Sequence, residues 1–202
     1  MKVVEIFKSL QGEGPDQGIV TTFIRLGGCN LHCRWCDTSY SHTAGSEMGA
    51  SEILEKVREF GAPHVCVTGG EPLLSVNDLL PLLKSLYDEG FIIEIETNGT
   101  INPALCREYA TICMDIKCPS SGEKSDLSLL KYLGFDDSVK FVVADINDCE
   151  YARGVIENKE FIAKIFISPV WGCDYGIIAD YVIEHRLPVK FQVQLHKVIG
   201  VK

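Results

Sequence analysis

Residues 23 to 38 read FIRLGGCNLHCRWCDT: an apolar run, two glycines and then three cysteines. A short run of β-branched and aromatic residues that ends in glycine predicts a strand followed by a turn. Cys29 and Cys33 enclose three residues, and Cys33 and Cys36 enclose two. This stretch therefore predicts a strand that leads directly into a loop carrying three thiols.

Outward from that loop, strand-like and helix-like segments alternate along the chain. The predicted strands are 21–26, 64–68, 91–97, 111–116, 139–143, 164–168 and 189–195. The predicted helices are 50–60, 75–90, 147–159 and 174–186. Ser51 is the expected N-cap of the first helix, and Gly90 the expected C-cap of the second.

This alternation predicts an α/β fold with right-handed βαβ units and a mainly parallel sheet. Six such units and one final strand are fewer than the eight of a closed barrel. We therefore expect an incomplete (βα)6-type open barrel, with a flat doubly wound sheet as the alternative. In either fold, functional residues gather at the carboxyl ends of the parallel strands. The motifs GGCNLHCRWCD, TGGEP, ETNGT, DIKCPSSG and SPVWGCD all follow predicted strands.

Length, net charge and the lengths of the apolar runs argue against several classes of protein. The 202 residues predict one domain, 1–202. A net charge of -9 argues against broad binding to nucleic acid or to an anionic membrane. The apolar runs are too short to predict a membrane span, and the N-terminus reads as a strand and not as a signal peptide. We therefore expect a cytoplasmic protein.

The six cysteines outside the loop are expected to pack as small apolar side chains. They are Cys66, Cys106, Cys113, Cys118, Cys149 and Cys173. An odd total of nine cysteines in a chain of this length does not suggest a disulfide framework.

Three chemistries compete for the thiols of the loop. A redox CxxC explains Cys33 and Cys36 but gives no role to Cys29. A structural zinc site requires four ligands, and the sequence has no second CxxC or paired histidines nearby. A [4Fe-4S] cluster ordinarily has four cysteine ligands, so three thiolates leave one iron open to another ligand. The loop therefore favours an iron-sulfur cluster with one open iron.

The C-x3-C-x2-C loop, with Trp35 before its last cysteine, resembles the radical S-adenosylmethionine superfamily. The resemblance implies that Cys29, Cys33 and Cys36 hold the cluster and that the open iron binds the methionine part of S-adenosylmethionine. It also implies that reductive cleavage of this cofactor produces a 5′-deoxyadenosyl radical. Gly70 and Glu71 would face the methionine amino group. The other cofactor contacts it implies are Trp35, Cys36, Asp37, Thr97, Asn98, Asp115 and Lys117.

A wider set of motifs resembles one family within that superfamily, the 7-carboxy-7-deazaguanine synthases. The set consists of LQGEG at 10–14, RLGGCN at 25–30, CDT at 36–38, TGGEP at 68–72 and QLHK at 194–197. The resemblance implies conversion of 6-carboxy-5,6,7,8-tetrahydropterin to 7-carboxy-7-deazaguanine with loss of ammonia, toward the deazaguanine bases of tRNA. Hydrogen would leave C6 of the pterin and later return, regenerating S-adenosylmethionine. The substrate contacts it implies are Leu10, Gln11, Gly12, Glu13, Arg25, Thr68 and His196.

The same resemblance implies a Mg²⁺ ion bound through the Thr38 hydroxyl, an electron donor of the flavodoxin or ferredoxin type, and a homodimer. It implies no protein side chain acting as an acid-base catalyst. Two alternatives remain on sequence alone. A glycyl-radical activase shares the cluster loop but has no need of a pterin pocket. A zinc or iron-sulfur scaffold module would use the thiols without catalysis.

Overall fold

Nine strands form one open sheet in the computed structural model, which describes residues 1–202. They are β1 Lys2–Leu10, β2 Val20–Leu26, β3 Ser46–Glu47, β4 His64–Gly69, β5 Ile92–Thr97, β6 Thr111–Lys117, β7 Ser138–Val143, β8 Lys164–Pro169 and β9 Lys190–Phe191. The order across the sheet is β3-β1-β2-β4-β5-β6-β7-β8-β9. All neighbours from β2 to β9 are parallel, and β1 is antiparallel to β2 and β3. The predicted open, mainly parallel sheet is confirmed.

Five α-helices accompany the sheet. They are α1 Ala50–Phe60, α2 Val76–Asp88, α3 Ile146–Asn158, α4 Tyr175–Glu184 and α5 Leu195–Ile199. The expectation of a helix after every strand is wrong in two places. Residues 98–110, between β5 and β6, form turns, and two short 3-10 helices, Pro119–Ser121 and Leu127–Tyr132, join β6 to β7. Pro119 stands in the first turn of its 3-10 helix, a position that proline tolerates.

The two predicted caps are each displaced. Gly49 is the N-cap of α1, so Ser51 lies inside the helix. Helix α2 ends at Asp88 with Glu89 as its C-cap, and Gly90 follows with a φ of 83°. Gly90 therefore supplies the left-handed residue just beyond the helix, where glycine is favoured.

The last predicted strand, 189–195, is wrong over most of its length. Only Lys190 and Phe191 pair with β8, and α5 begins at Leu195. The side chains of Gln192 and Gln194 bond to the segment after β1, so this part of the chain leaves the edge of the sheet to meet that segment.

The sheet has an apolar face and a polar face because successive side chains of a strand point to opposite sides. In β7, Val139, Phe141 and Val143 belong to the hydrophobic core, whereas Lys140 and Val142 line a cleft. The core comprises 34 buried residues packed between the sheet and helices α1 to α4. The opposite, cleft-lining side of the sheet carries most of its buried charge.

The scattered cysteines follow this division. Cys106, Cys118 and Cys149 belong to the core, as expected, and Cys173 is partly buried against it. Cys66 and Cys113 are buried, as expected of small apolar side chains, but they lie outside the main core cluster. Burial raises the pKa of each thiol, and the nearby carboxylates of Glu94 and Glu96 raise it further. All nine cysteines are free thiols.

Loops reach the polar face from both ends of the sheet. The carboxyl ends of the parallel strands place the cysteine loop and the TGGEP, ETNGT and DIKCPSS segments at one end, as predicted. The antiparallel β1 delivers residues 11–19 to the other end, where Leu10 pairs with Val20 at the start of β2. None of the helices has the length and apolar character required to span a membrane.

Candidate active site

A cleft of about 560 Å³ lies against the polar face of the sheet. Such a volume is typical of small-molecule sites. Every site residue predicted from the sequence lines it except Glu71. They are Leu10, Gln11, Gly12, Glu13, Arg25, Cys29, Cys33, Trp35, Cys36, Asp37, Thr38, Thr68, Gly70, Thr97, Asn98, Asp115, Lys117 and His196.

The three thiols of the loop after β2 are half-buried in the wall of this cleft. The Leu31 N–H lies 3.5 Å and the Asn98 Nδ2 3.8 Å from Cys29 Sγ, so both are placed to donate to that sulfur. Burial raises the pKa of the Cys33 thiol, although the Lys117 ammonium opposes the shift. A set of three loop thiols beside donors and a lysine fits an iron-sulfur cluster with one iron left open to the cleft.

The TGGEP turn after β4 packs directly against the start of the cysteine loop. The Gly70 N–H donates to the carbonyl of Leu26 at 3.0 Å, and the Glu71 N–H donates to that of Gly28 at 2.8 Å. A side chain on Gly70 would place its Cβ 1.9 Å from the Gly28 carbonyl oxygen. Glycine is therefore required here for the two loops to approach each other.

Glu71 lies behind this turn and is bonded within the protein. Its side chain accepts hydrogen bonds from Leu73 N at 3.0 Å, Thr97 Oγ1 at 2.8 Å and Asn98 N at 2.7 Å. Burial raises the pKa of Glu71, and these hydrogen bonds only partly oppose the shift. The carboxylate thus ties the end of β4 to the end of β5.

The DIKCPSS segment supports the cysteine loop from the other side. Lys117 Nζ donates to Asp115 at 2.7 Å and lies 5.8 Å from the centre of the Trp35 ring. The Trp35 indole donates to Ser120 Oγ at 3.2 Å. Ser120 in turn donates through both its N–H and its hydroxyl to Asp148. Asp148 is fully buried in the first turn of α3, and sequence reasoning missed it because an acid at a helix start is ordinary.

The loop at 11–18 closes the other end of the cleft. Glu13 accepts from Lys140 Nζ at 2.5 Å and from Gln194 Nε2 at 2.8 Å. Gln11 donates from Nε2 to Glu94 at 2.7 Å and accepts the Gly12 N–H at 2.8 Å. Sequence reasoning missed Lys140 and Glu94, because both lie within apolar runs.

Gln17 and Gln192 join this loop to the segment before α5 through hydrogen bonds. Gly14 and Gln192 exchange two hydrogen bonds, of 2.7 and 2.9 Å. Gln17 Nε2 bridges the carbonyls of Gly12 and Val193. A Cβ on Gly12 would lie 2.0 Å from His196 Nδ1, so the ring of His196 rests on the glycine. Two distant parts of the chain therefore form one wall of the cleft.

Arg25 projects from β2 into the side of the cleft. Its Nε donates to Glu5 at 2.8 Å, and Tyr40 donates to the same carboxylate at 2.9 Å. Lys202 also pairs with Glu5. Burial tends to raise the pKa of Glu5, but the bonds from Lys202, Arg25 and Tyr40 outweigh it and the pKa is lowered. Glu5 thus holds the guanidinium by one edge.

Asp37 and Thr38 follow the last cysteine at the mouth of the cleft. Asp37 pairs with Lys197 of α5 at 2.8 Å. Burial tends to raise the pKa of Asp37, but the bond to Lys197 lowers it below its usual value. The Thr38 hydroxyl lies 3.5 Å from the Gly69 carbonyl and 3.8 Å from Cys36 Sγ. These are long contacts, so the hydroxyl is available to a ligand.

Two carboxylates and a thiol meet on the polar face of β4 and β5. The ligand atoms of Cys66, Glu94 and Glu96 lie within 4.8 Å of one another. Thr68 Oγ1 donates to Glu96 at 2.9 Å. Burial, together with the charges of Glu96 and Asp16, raises the pKa of Glu94 to about 8.

Comparison with known proteins gives a consistent result. Residues 23–116 match the model of the Radical SAM superfamily. The 7-carboxy-7-deazaguanine synthase of Methanospirillum hungatei is 48% identical over 99% of this chain and 86% of its own length. That of Thermoplasma acidophilum is 38% identical over 98% and 97% of the two chains. The crystal structure of QueE from Escherichia coli superposes with a TM-score of 0.77 at 26% identity and covers 96% of this chain and 94% of that one.

These similarities extend over almost the whole chain, including both walls of the cleft. Radical S-adenosylmethionine enzymes use a [4Fe-4S] cluster and S-adenosylmethionine, and the three loop thiols match that requirement. The chain therefore belongs to the 7-carboxy-7-deazaguanine synthase family of radical S-adenosylmethionine enzymes.

Proposed function

We propose that the protein converts 6-carboxy-5,6,7,8-tetrahydropterin to 7-carboxy-7-deazaguanine with loss of ammonia. One observation carries this proposal: a single cleft joins the thiol loop at one end of the sheet to Arg25 and the LQGEG loop. A cluster site alone would suit any radical enzyme. The second half of the cleft adds one guanidinium and several amide and carboxylate groups, which suit a flat, nitrogen-rich ring with a carboxylate.

In this proposal Cys29, Cys33 and Cys36 hold the cluster. When bound, the cluster and S-adenosylmethionine supply the 5′-deoxyadenosyl radical that begins the reaction. The chain itself orients the cofactor. Its polar groups at the strand ends are Trp35, Asp37, Gly70, Thr97, Asn98, Asp115 and Lys117. Glu71 acts one step behind them, through the Asn98 backbone.

The substrate lies between the thiol loop and the LQGEG loop. The Arg25 Nε is engaged by Glu5, which leaves its terminal nitrogens to bind the substrate carboxylate. Leu10, Gln11, Gly12 and Glu13, with Thr68 and His196, surround the ring. The role of the protein is to hold C6 of the pterin close to the 5′ carbon of the cofactor and to exclude water. Accordingly, no side chain is assigned as an acid or base.

Mg²⁺ is part of the proposal through Thr38. Its hydroxyl has only long contacts within the protein, and a hard cation with few protein ligands is usual for Mg²⁺. The ion would order the substrate carboxylate.

The remaining features of the proposal concern the setting of the enzyme. Residues 1–202 would form one radical S-adenosylmethionine domain, acting in the cytoplasm as a homodimer. A flavodoxin or ferredoxin-type protein would reduce the cluster, and the substrate is a small molecule and not a nucleic acid.

An anaerobic turnover assay tests the function. Reconstituted protein, reductant, S-adenosylmethionine, Mg²⁺ and the pterin should yield 7-carboxy-7-deazaguanine and ammonia, identified by mass, without net loss of S-adenosylmethionine. Consumption of S-adenosylmethionine without deazaguanine would instead favour a glycyl-radical activase. One zinc per chain in place of iron would favour a scaffold module.

A further inference from the structure

A lysine is buried in the polar face of the sheet, at the floor of the cleft. Lys140 is in the middle of β7, and only 8% of its side chain is exposed. Lysine is rarely buried to this extent unless a partner neutralises it. A buried lysine adds little to solubility or to surface charge, so the position of Lys140 requires another explanation.

The partner is Glu13, which is 127 residues away in the chain. Burial alone raises the pKa of Glu13, because a carboxylate loses water. The charge and hydrogen bond of Lys140 outweigh that effect, and with the hydrogen bond from Gln194 they lower the pKa. Glu13 is therefore ionised because Lys140 lies beside it.

Stability alone does not explain this pair. A buried ion pair gains little over a well-packed apolar pair, because both charges must leave water. The pair keeps the carboxylate of Glu13 charged, although burial alone would favour its protonated form. Glu13 lines the cleft, so that acceptor faces the ligand.

We propose that Lys140 is a positioning residue for the pterin: it holds Glu13 ionised and fixed, so that Glu13 accepts hydrogen bonds from N–H groups of the ring. This inference rests on the proposed function. A tetrahydropterin presents several N–H donors, and a protonated Glu13 would offer them a competing donor. Lys140 acts through Glu13 and is not a catalytic residue.

The surroundings determine how each group titrates. Lys140 faces Glu13 from the LQGEG loop, Glu96 from β5, and Asp115 and Cys113 from β6. Glu13 faces Lys140 from β7 and His196 from α5. The charge of Lys140 also acts on Glu94, on Asp37 and on Lys117. Lys140 is thus surrounded mainly by acids, and no other lysine pairs with Glu13.

Lys140→Met tests the inference, because methionine has similar length and no charge. The carboxyl of Glu13 is followed by carbon-13 NMR in glutamate-labelled oxidised holoenzyme, with Glu13→Gln to assign the signal. We expect an ionised Glu13 at neutral pH in the wild type and a protonated one in the variant. An ionised Glu13 in Lys140→Met overturns the inference, whether or not the pterin is the substrate.

Kinetics with the pterin provide the second readout. In Lys140→Met we expect KM to rise by about tenfold or more, because a charge-assisted hydrogen bond is lost, while kcat changes by less than about threefold. Without Lys140, burial should raise the pKa of Glu13 in the variant. The KM of the variant should therefore fall as pH rises through that pKa, since only ionised Glu13 binds the pterin well. In the wild type this pH dependence should be absent near neutrality. A pH-independent loss of kcat with unchanged KM would contradict the inference.

Two further variants complete the design. In a Glu13→Gln background, Lys140→Met should add little to KM, because the lysine acts through the carboxylate. Lys164→Met on the neighbouring strand is the control, since Lys164 Nζ bonds only to the Asp136 carbonyl at the surface. If Lys140→Met does not fold, Lys140→Gln replaces it, as glutamine can still donate to Glu13 without charge. A wild type that does not turn over the pterin refutes the proposed function, whereas the NMR result still decides the role of Lys140.

Discussion

Replacing Glu71 by glutamine asks whether this carboxylate supports the protein or contacts the cofactor. Glu71 is 1% exposed, and its two oxygens accept three hydrogen bonds. Glutamine keeps one acceptor oxygen and places an NH₂ group where the other oxygen lay. At least one donor, such as the Asn98 N–H, would then face another donor.

The structure gives the size of the effect. One buried donor left unpaired costs about 1–3 kcal/mol. A cost of about 2 kcal/mol corresponds to a fall in Tm of about 4–8 °C for a chain of this length. We therefore expect Glu71→Gln to melt several degrees below the wild type, with a modest loss of affinity for S-adenosylmethionine because the Asn98 backbone shifts.

The assay is thermal unfolding of anaerobic holoenzyme, together with equilibrium binding of S-adenosylmethionine. Glu55→Gln is the matched control, because Glu55 is exposed on α1 and the exchange should leave both quantities unchanged. An unchanged Tm with a loss of affinity of about tenfold or more would refute the reasoning, since a charged contact to the cofactor is worth that much. Glu71 would then face the methionine amino group, as the sequence motif predicts.

Three further substitutions test other parts of the structure. The pKa of Glu94 is raised to about 8, so the wild type should lose stability as pH rises from the ordinary carboxyl value toward 8. Glu94→Gln should flatten the pH dependence of the free energy of unfolding and be the more stable form at pH 8, as measured by denaturant titration. Gly70→Ala would force a Cβ to within 1.9 Å of a backbone oxygen in the cysteine loop. It should lower the iron content per chain, whereas Gly154→Ala, with open space in the middle of α3, should keep it. Cys33→Ala should abolish both the absorption of the cluster and turnover, and full activity would contradict the assignment of the thiols.

The sequence predicted those parts of the fold that depend on local chemistry. Parallel strands and helices such as 50–60 show clear apolar periodicity, because one face of each packs into the core. The connection from β5 to β6 contributes Cys106 and Ala110 to the core, but it forms turns and not a helix. Residues 192–195 were predicted as strand from their composition, but Gln192 and Gln194 bind the loop near Gly14 and Glu13 instead.

Some residues of the candidate site could likewise be predicted from local sequence, and others could not. The thiol loop and the TGGEP turn could be found because each is contiguous and chemically distinctive. Lys140 and Glu94 could not, because a charged residue in an apolar run is read as the solvent side of a strand. An available signal was their period of two: Glu94 and Glu96 alternate with Ile93 and Ile95. In a parallel sheet that is covered by helices on one face, such alternation indicates a ligand cleft on the other.

The charged side chains of the cleft determine how it binds an anionic group. Five basic and four acidic side chains line the cleft of a chain whose net charge is -9. All five basic side chains are already paired: Arg25 and Lys202 with Glu5, Lys117 with Asp115, Lys140 with Glu13 and Lys197 with Asp37.

If free positive charge limited substrate binding, removing a competing carboxylate should improve it. If orientation limits binding, the same change should weaken it, because Glu5 fixes the plane of the Arg25 guanidinium. Arg25 is mostly buried and Glu5 grips only its Nε, so we expect orientation to dominate. Glu5→Gln should raise KM for the pterin several-fold without changing kcat, and Glu52→Gln on the exposed side of α1 should change neither. A lower KM in Glu5→Gln would show that Glu5 competes with the substrate for Arg25.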